Sequence, residues 1–428
     1  MSPIEWPKVK LADYVDLLSG FPFKSAGFST ASDDIPLVKG ENVHQGFIDW
    51  NKAKRWPKNQ VDGLDKYWLK PGDVVLAMDR PWIEAGLKQA CICEHDPASL
   101  LVQRVSRLRG ENGLLTDYLR HLIGSSMFTD YIKPIVTGTS VPHISGAQIK
   151  SFEFRLPPLP MQRRIASILS AYDDLIENNT RRIAILEEMA RRLYEEWFVR
   201  FRFPGHEGSA MTGGLPAGWC RATLGSITTK IGSGATPRGG KSAYFDSGVT
   251  LIRSQNIFDY NFVDKGLAFL DDDQAAQLQG VAVEPDDVLL NITGASVARC
   301  CMVARRHLPA RVNQHVMLIR ADSVRMEPSY LLCAINSVEM KRQLLAYAQT
   351  GSTREALTRE MMSQFAVLLP DHGTLRKFGK IAGDIFRQRE ILADKNANLR
   401  TTRDFLLPKL ISGELDVSAL PEPQAETA

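Results

Sequence analysis

The sequence predicts an α+β fold: two globular domains of short strands and a few helices, separated by two long helices packed as an antiparallel coiled coil. Three observations carry this expectation. A helical periodicity of unusual length runs through mid-chain, a second one lies near the end, and the order of motifs in the first half recurs in the second.

The first long helix lies in the stretch from Leu156 to Phe198. Its apolar residues Ile165, Ile168, Tyr172, Leu175, Ile183, Leu186, Ala190, Leu193 and Trp197 are spaced mostly three or four apart, which aligns them on one helical face. Pro157, Pro158 and Pro160 mark its start, because the first helical N–H groups have no intrahelical acceptor to lose. Phe203-Pro204-Gly205 and then Gly208, Gly213 and Gly214 read as a flexible linker that ends it. A helix over roughly 162–198 is on the order of 55 Å long. On its other face Arg181, Arg182, Glu187, Glu188, Arg191, Arg192, Glu195 and Glu196 pair opposite charges four residues apart, the pattern of a solvated face. Asn179 interrupts the seam, and a polar seam residue sets register.

A face that long needs a partner, and residues 375–411 repeat the design. Phe378, Ala382, Ile385, Leu392, Leu399, Leu406 and Leu410 form its seam, made more polar by Arg389, Asn396 and Arg403. Pro408 is expected to kink its last turn. Antiparallel pairing with 162 near 411 would bring Asn179 and Asn396 within two positions of each other.

The repeat extends over the whole chain. Trp6 and Leu11 match Trp219 and Leu224 at an offset of 213, and Ile35–Val43 matches Val249–Ile257 at 214. Leu69–Leu76 matches Val283–Leu290, Tyr118-Leu119 matches Tyr330-Leu331, Thr137-Gly138 matches Thr350-Gly351 and Leu156-Pro157 matches Leu369-Pro370. The chain therefore divides into a first globular domain (1–157), a central helix (158–203), a linker with a second globular domain (204–370), a distal helix (371–415) and a tail (416–428) expected to be disordered. Runs such as Asp73–Met78, Asp287–Thr293 and His315–Arg320 read as strands, whereas Asp117–Ile132 and Ser329–Tyr347 read as helical.

The 428 residues, 44% apolar and 24% charged, suit two or three packed domains. The N-terminus lacks an apolar signal region and no run approaches a membrane span, so a cytoplasmic location without membrane attachment is expected. Six cysteines form no C-x-x-C pair and no zinc-type spacing with histidine, so reduced thiols and no metal are expected. A net charge of only +3 means that any nucleic-acid binding must come from local patches.

Apparent catalytic motifs fail on context. Ala235–Ser242 resembles a phosphate-binding loop but contains Pro237 and opens no helix, so it reads as a glycine-rich loop offering Arg238 and Lys241 to a phosphate backbone. Pro285-Asp286 and Glu339-Met340-Lys341 stand too far apart for a nuclease cluster, and a turn before a strand explains the first in both copies. No amino-methyltransferase, dinucleotide or esterase motif is present. No catalytic residue is assigned.

Duplicated domains held on a rod suit the reading of two separated sites. Side chains able to match donor and acceptor patterns of base edges are Lys39, Asn42, His44, Arg80, Arg104, Thr139, Ser140 and His143 in the first copy. In the second they are Arg238, Lys241, Arg253, Gln255, Asn256, Arg299, Asn313, Gln314, His315, Thr353 and Arg354, with clusters at 253–256 and 311–315.

These residues also carry a resemblance. Gly138–Ser145, Phe152–Pro160, Gln162–Leu169, Asp173-Asp174 and Ile176–Asn179 are similar to the central shared region of specificity (S) subunits of type I restriction-modification systems, and Phe365–Pro370 with Lys409–Leu415 resembles their distal region. The resemblance implies two target recognition domains, each reading one half of a bipartite, asymmetric site in double-stranded DNA. It implies paired helices that set the spacing and dock two modification (methyltransferase) subunits. Those subunits would supply S-adenosylmethionine and adenine-N6 methylation, and restriction subunits would supply ATP- and Mg-dependent translocation and cleavage, leaving this chain with no cofactor. Independently, two divergent copies should read an asymmetric pair of half-sites, since identical ones on a two-fold scaffold would read a palindrome. The alternatives are a single-chain restriction or modification enzyme with fused recognition domains, and an architectural coiled-coil protein.

Overall fold

The β-branched runs bounded by Pro, Gly and Asp become strands, and the same strand order is built twice. A computed structural model describes residues 6–83, 86–135, 142–237, 239–349 and 356–421. The chain divides into two units, 1–177 with 396–428 and 178–395. Each long helix contributes one part to each unit.

In the first unit Lys8–Lys10 pairs antiparallel with Glu153–Arg155 and closes the globular domain at its ends. A four-stranded antiparallel sheet follows the order Val15–Ser19, Val105–Gly110, Val74–Ala77, Gln89–Cys91. A smaller sheet orders Arg55–Trp56, Ile35–Val38, Leu100–Leu101, the last two parallel. Helices Thr116–Gly124 and Ser126–Ile135 bury Tyr118, Leu119, Leu122 and Phe128 on the first sheet's core face. That core continues into Ile165 and Leu169 of the central helix (Leu159–Tyr194) and Leu410 and Ile411 of the distal helix (His372–Ser412). The Asp173 carboxylate accepts from Arg120 and from Arg403, each at 2.6 Å, tying a domain helix to both long helices. Asn396 Nδ2 donates to the Ile176 carbonyl at 3.1 Å, so the two helices run antiparallel.

In the second unit Cys220–Thr223 pairs with Ala366–Leu369, and the four-stranded sheet orders Thr228–Ser233, Val316–Ala321, Val288–Asn291, Cys300–Met302. The second sheet orders Ala268–Leu270, Val249–Ile252, Ala310–Val312, Ala282–Val283, again with one parallel pair. Pro328–Asn336 and Val338–Gln349 take the place of the first unit's helix pair. Ala190, Trp197 and Phe198 share a core with Phe378, Ala382, Ile385 and Phe386. Phe198 meets Tyr330 and Phe378 edge-on at 4.7 and 4.9 Å, and Arg389 donates to Glu187 at 2.5 Å, an antiparallel pairing again.

Five details differ from expectation. Leu175, placed on the seam, is 52% exposed, and its neighbour Ile176 is buried instead, because successive helical residues point about 100° apart. The distal helix runs through Pro408 to Ser412, since burial of Leu410 and Ile411 holds its last turn, and Gly413 ends it in the left-handed region. The central helix passes into a π-helical turn at Glu195–Val199, and the linker contains a hairpin of Met211–Thr212 with Leu215–Pro216. The tail begins inside the fold: Val417 is buried in the first unit's core.

Candidate nucleic-acid interface

One short backbone scaffold occurs in both domains and carries most of the polar candidates. In the first, Ala77 N–H donates to the Lys88 carbonyl (2.9 Å), Met78 N–H to that of Arg104 (2.8 Å), and Ile144 N–H to that of Met78 (2.9 Å). In the second, Asn291 donates to Arg299 (2.8 Å), Ile292 to His315 (3.0 Å) and Leu357 to Ile292 (2.9 Å). Lys88 therefore corresponds to Arg299 and Arg104 to His315. Bridges of Asp79 to His143 and of Thr293 to Ala356 make those pairs equivalent as well.

In the first domain this scaffold borders a cavity of about 360 Å³ lined by Lys39, Glu41, Asp79, Arg80, Lys88 and Arg104 among others. Asp79 Oδ1 lies 2.8 Å from His143 Nδ1 and 3.8 Å from Arg104. Lys39 reaches Glu41 at 3.2 Å. Burial holds the Lys88 ammonium below the usual lysine range, partly offset by the Asp79 charge. Arg80 is exposed at the end of the strand with φ of 45°, a conformation that turns the chain sharply. Four cations facing two carboxylates give a cavity that can donate to phosphate or to guanine O6 and N7, and accept from cytosine N4.

The second domain places different chemistry on the same frame. Thr293 Oγ1 and His315 Nδ1 lie 2.7 Å apart, Gln314 Nε2 is 3.2 Å from His315 Nε2, and Thr236 donates to Gln314 Oε1. Arg299 stacks over Phe258 at 4.7 Å and Arg253 over Tyr244 at 5.3 Å. Arg253 and Gln255 both donate to the Gly266 carbonyl, Gln255 at 2.9 Å.

Three of the predicted base readers are structural instead. Asn42 and Asn256 are wholly buried: each side-chain carbonyl accepts from the backbone N–H three residues earlier, of Lys39 (2.8 Å) and Arg253 (3.1 Å). Their amides donate to the carbonyls of Leu37 and of Val263 and Lys265. Buried amides with both ends satisfied brace a loop and cannot reach a base edge. Asn313, also buried, accepts from His315 N–H at 3.1 Å. His44 is half-buried and stacked on Phe47 at 5.0 Å. Thr139, Ser140, Arg238, Thr353 and Arg354 lie outside the described residues, as does the side chain of Lys241. Sequence reasoning passed over Asp79, Lys88 and Thr293. The signal lay in the repeat: the offset falls from 214 at Val74/Val288 to 211 at Cys91/Met302, which lines up Lys88 with Arg299.

Elsewhere in the first unit, and against the expectation from cysteine spacing, Cys93, His95 and Glu177 bring one ligand atom each within 4.8 Å of one another. His95 Nε2 is 3.1 Å from Glu177 Oε1. Burial and the nearby carboxylates of Asp96 and Glu177 push the Cys93 thiol up to about 11.

Two copies of one mixed α+β domain, each joined to a long helix and each presenting polar groups on the same sheet ends, define a tandem-repeat protein. Residues 3–188 match the family described as Type I restriction modification DNA specificity domain. The chain is 25% identical over 323 residues to the MjaIX type I restriction enzyme specificity subunit of Methanocaldococcus jannaschii, covering 72% of this chain and 71% of that one. It is 21% identical to the HindI specificity subunit of Haemophilus influenzae, over 83% of this chain and 89% of that one. The crystal structure of a type I restriction-modification S subunit from M. genitalium shares the fold, with a TM-score of 0.61 at 15% identity, covering 98% of this chain and all of that one. Along most of its length the chain is thus similar to type I restriction-modification specificity subunits. Among the described residues no helix is long and apolar enough to cross a membrane.

Proposed function

We propose that the chain reads a bipartite, asymmetric site in double-stranded DNA, one half with each globular domain, and that it lends sequence address to partners rather than chemistry. The observation that carries this reading is the pair of equivalent frames with unlike side chains: Asp79, Lys88 and Arg104 in one domain stand where Thr293, Arg299 and His315 stand in the other. A shared frame supports a shared task, and different donors and acceptors support different base patterns. Cations on the frame position the domain on phosphates, while the neutral and acidic groups discriminate bases. The paired helices space the half-sites and dock two modification subunits, which bring S-adenosylmethionine and methylate adenine N6. Restriction subunits bring ATP and Mg for translocation and cleavage.

Methylome mapping tests this directly. Co-expression with its modification subunit, in a host lacking the system, should place N6-methyladenine in one asymmetric bipartite motif that is absent when either protein is omitted. Exchanging residues 1–157 for those of a relative should change one half of the motif only, and removing seven residues from each long helix should change its spacer. Methylation without a motif, or a change in both halves, would sink the modular reading.

A further inference from the structure

We propose that Cys93, His95 and Glu177 form a site for one divalent cation of the zinc class, which clamps a loop of the first globular domain onto the central helix. Thiolate, imidazole and carboxylate are the ligand types that zinc takes, and three protein ligands leave a fourth position for water. The geometry is near to that required. Zinc-ligand bonds of about 2.0–2.3 Å set tetrahedral ligand-to-ligand distances of roughly 3.3–3.7 Å. His95 Nε2 and Glu177 Oε1 already stand 3.1 Å apart, and no pair in the group exceeds 4.8 Å. Closing the remainder takes side-chain rotation of about an ångström.

The ligands come from two separately supported places. Cys93 sits on a braced turn: its N–H donates to Asp96 Oδ2 at 2.8 Å, and Asp96 Oδ1 is held in turn by Trp50 Nε1 at 2.7 Å. A ligand whose backbone is fixed by a carboxylate that is itself fixed resembles the supporting hydrogen bonds that orient metal ligands. Glu177 projects from the central helix, one residue after Ile176, whose carbonyl receives the Asn396 amide of the distal helix. Loop and helix thus both arrive with their backbones set. Bound metal would replace the His95–Glu177 contact with two coordinate bonds and add a third to sulfur, releasing the thiol proton to solvent. The second copy does not repeat the first two ligands: the positions equivalent to Cys93 and His95 fall at Ala304 and Arg306 by the local offset.

The test uses the full-length protein carrying Cys220→Ser, which removes an exposed thiol outside the group. Cobalt(II) titration should produce the thiolate-to-metal charge-transfer band and tetrahedral ligand-field bands, saturating at one ion per chain and displaced by zinc. Cys93→Ser should abolish the charge-transfer band. His95→Asn, at an exposed position, and Glu177→Gln, at a half-buried one, should each weaken binding by at least about 10–100-fold, the loss seen when mere supporting partners of metal ligands are removed. Zinc should raise the melting temperature of the parent protein and not that of Cys93→Ser. Absence of the charge-transfer band in the parent protein, its persistence in Cys93→Ser, or unchanged affinity in both His95→Asn and Glu177→Gln would each overturn the site.

Discussion

Lys88 and Arg299 hold the same backbone position in the two domains, each carbonyl accepting a backbone N–H of the strand beside it, from Ala77 at 2.9 Å and from Asn291 at 2.8 Å. One cation is half-buried over a cavity with Asp79, and the other lies across the ring of Phe258. Lys88→Ala and Arg299→Ala are each expected to weaken binding to DNA carrying the motif by about 1 kcal/mol or more and to lower the slope of log affinity against log salt by about one. Fluorescence anisotropy across a salt series reads both quantities. A slope unchanged in both variants would remove these residues from the interface.

Asn42 and Asn256 give the opposite expectation. Each closes a loop by accepting a backbone N–H and donating to backbone carbonyls in a fully buried setting. Truncation to alanine leaves buried groups unpaired at about 1–3 kcal/mol. Urea unfolding of Asn42→Ala should show that loss, while the methylated motif stays the same. An altered motif at unchanged stability would restore these residues as base readers.

His121 makes the first unit acid-sensitive. Its ring is buried, with Nε2 3.2 Å from Ser170 Oγ, and it faces Arg120, Asp173 and Arg403. Burial, reinforced by the Arg120 charge, pushes its pKa down to about 3 from 6.5. Below pH 6.5 the unfolded chain takes up a proton that the folded chain refuses, so stability is lost as pH falls from about 6.5 toward 3. The loss approaches about 1.4 kcal/mol per pH unit. Burial raises the Asp173 carboxyl, but Arg120 and Arg403 outweigh it and hold it below its usual range. Its own contribution therefore fades only below 3.8, outside most of that window. His121→Gln should flatten the dependence between pH 7 and 5 in urea unfolding; parallel curves for the two proteins would refute the assignment.

Asn396 carries the register of the helix pair in the first unit, donating to the Ile176 carbonyl while only 2% exposed. Polar seam residues specify alignment at a cost in stability. Asn396→Leu is expected to raise the melting temperature while the methylated motif acquires a second spacer length. A single unchanged spacer would show that packing alone fixes the register.

Much of the architecture was legible because it depends on periodicity. The spacing of Ile165, Leu186, Leu193, Ile385, Leu392 and Leu399 requires a helical face whatever surrounds it, and the paired anchors require two copies. Leu175 was misplaced because a one-residue step moves a side chain about 100° around a helix, and sequence alone does not say which of two adjacent apolar residues faces the partner. The base-reading candidates were less legible. Asn42 has the chemistry to read adenine, but whether it faces solvent or backbone depends on a loop closure that no local pattern reports.

The sequence by itself determined the duplication, the two long helices and the absence of recognisable catalytic motifs, since each rests on order and spacing along one chain. The tertiary structure alone decided which polar side chains share a frame. Lys88 joins Arg104 and Asp79, and Cys93 and His95 meet Glu177, through strand pairing and helix docking between residues far apart in the chain. Such contacts follow from the whole packed arrangement, because each side chain's surroundings are supplied by segments its own neighbours do not encode.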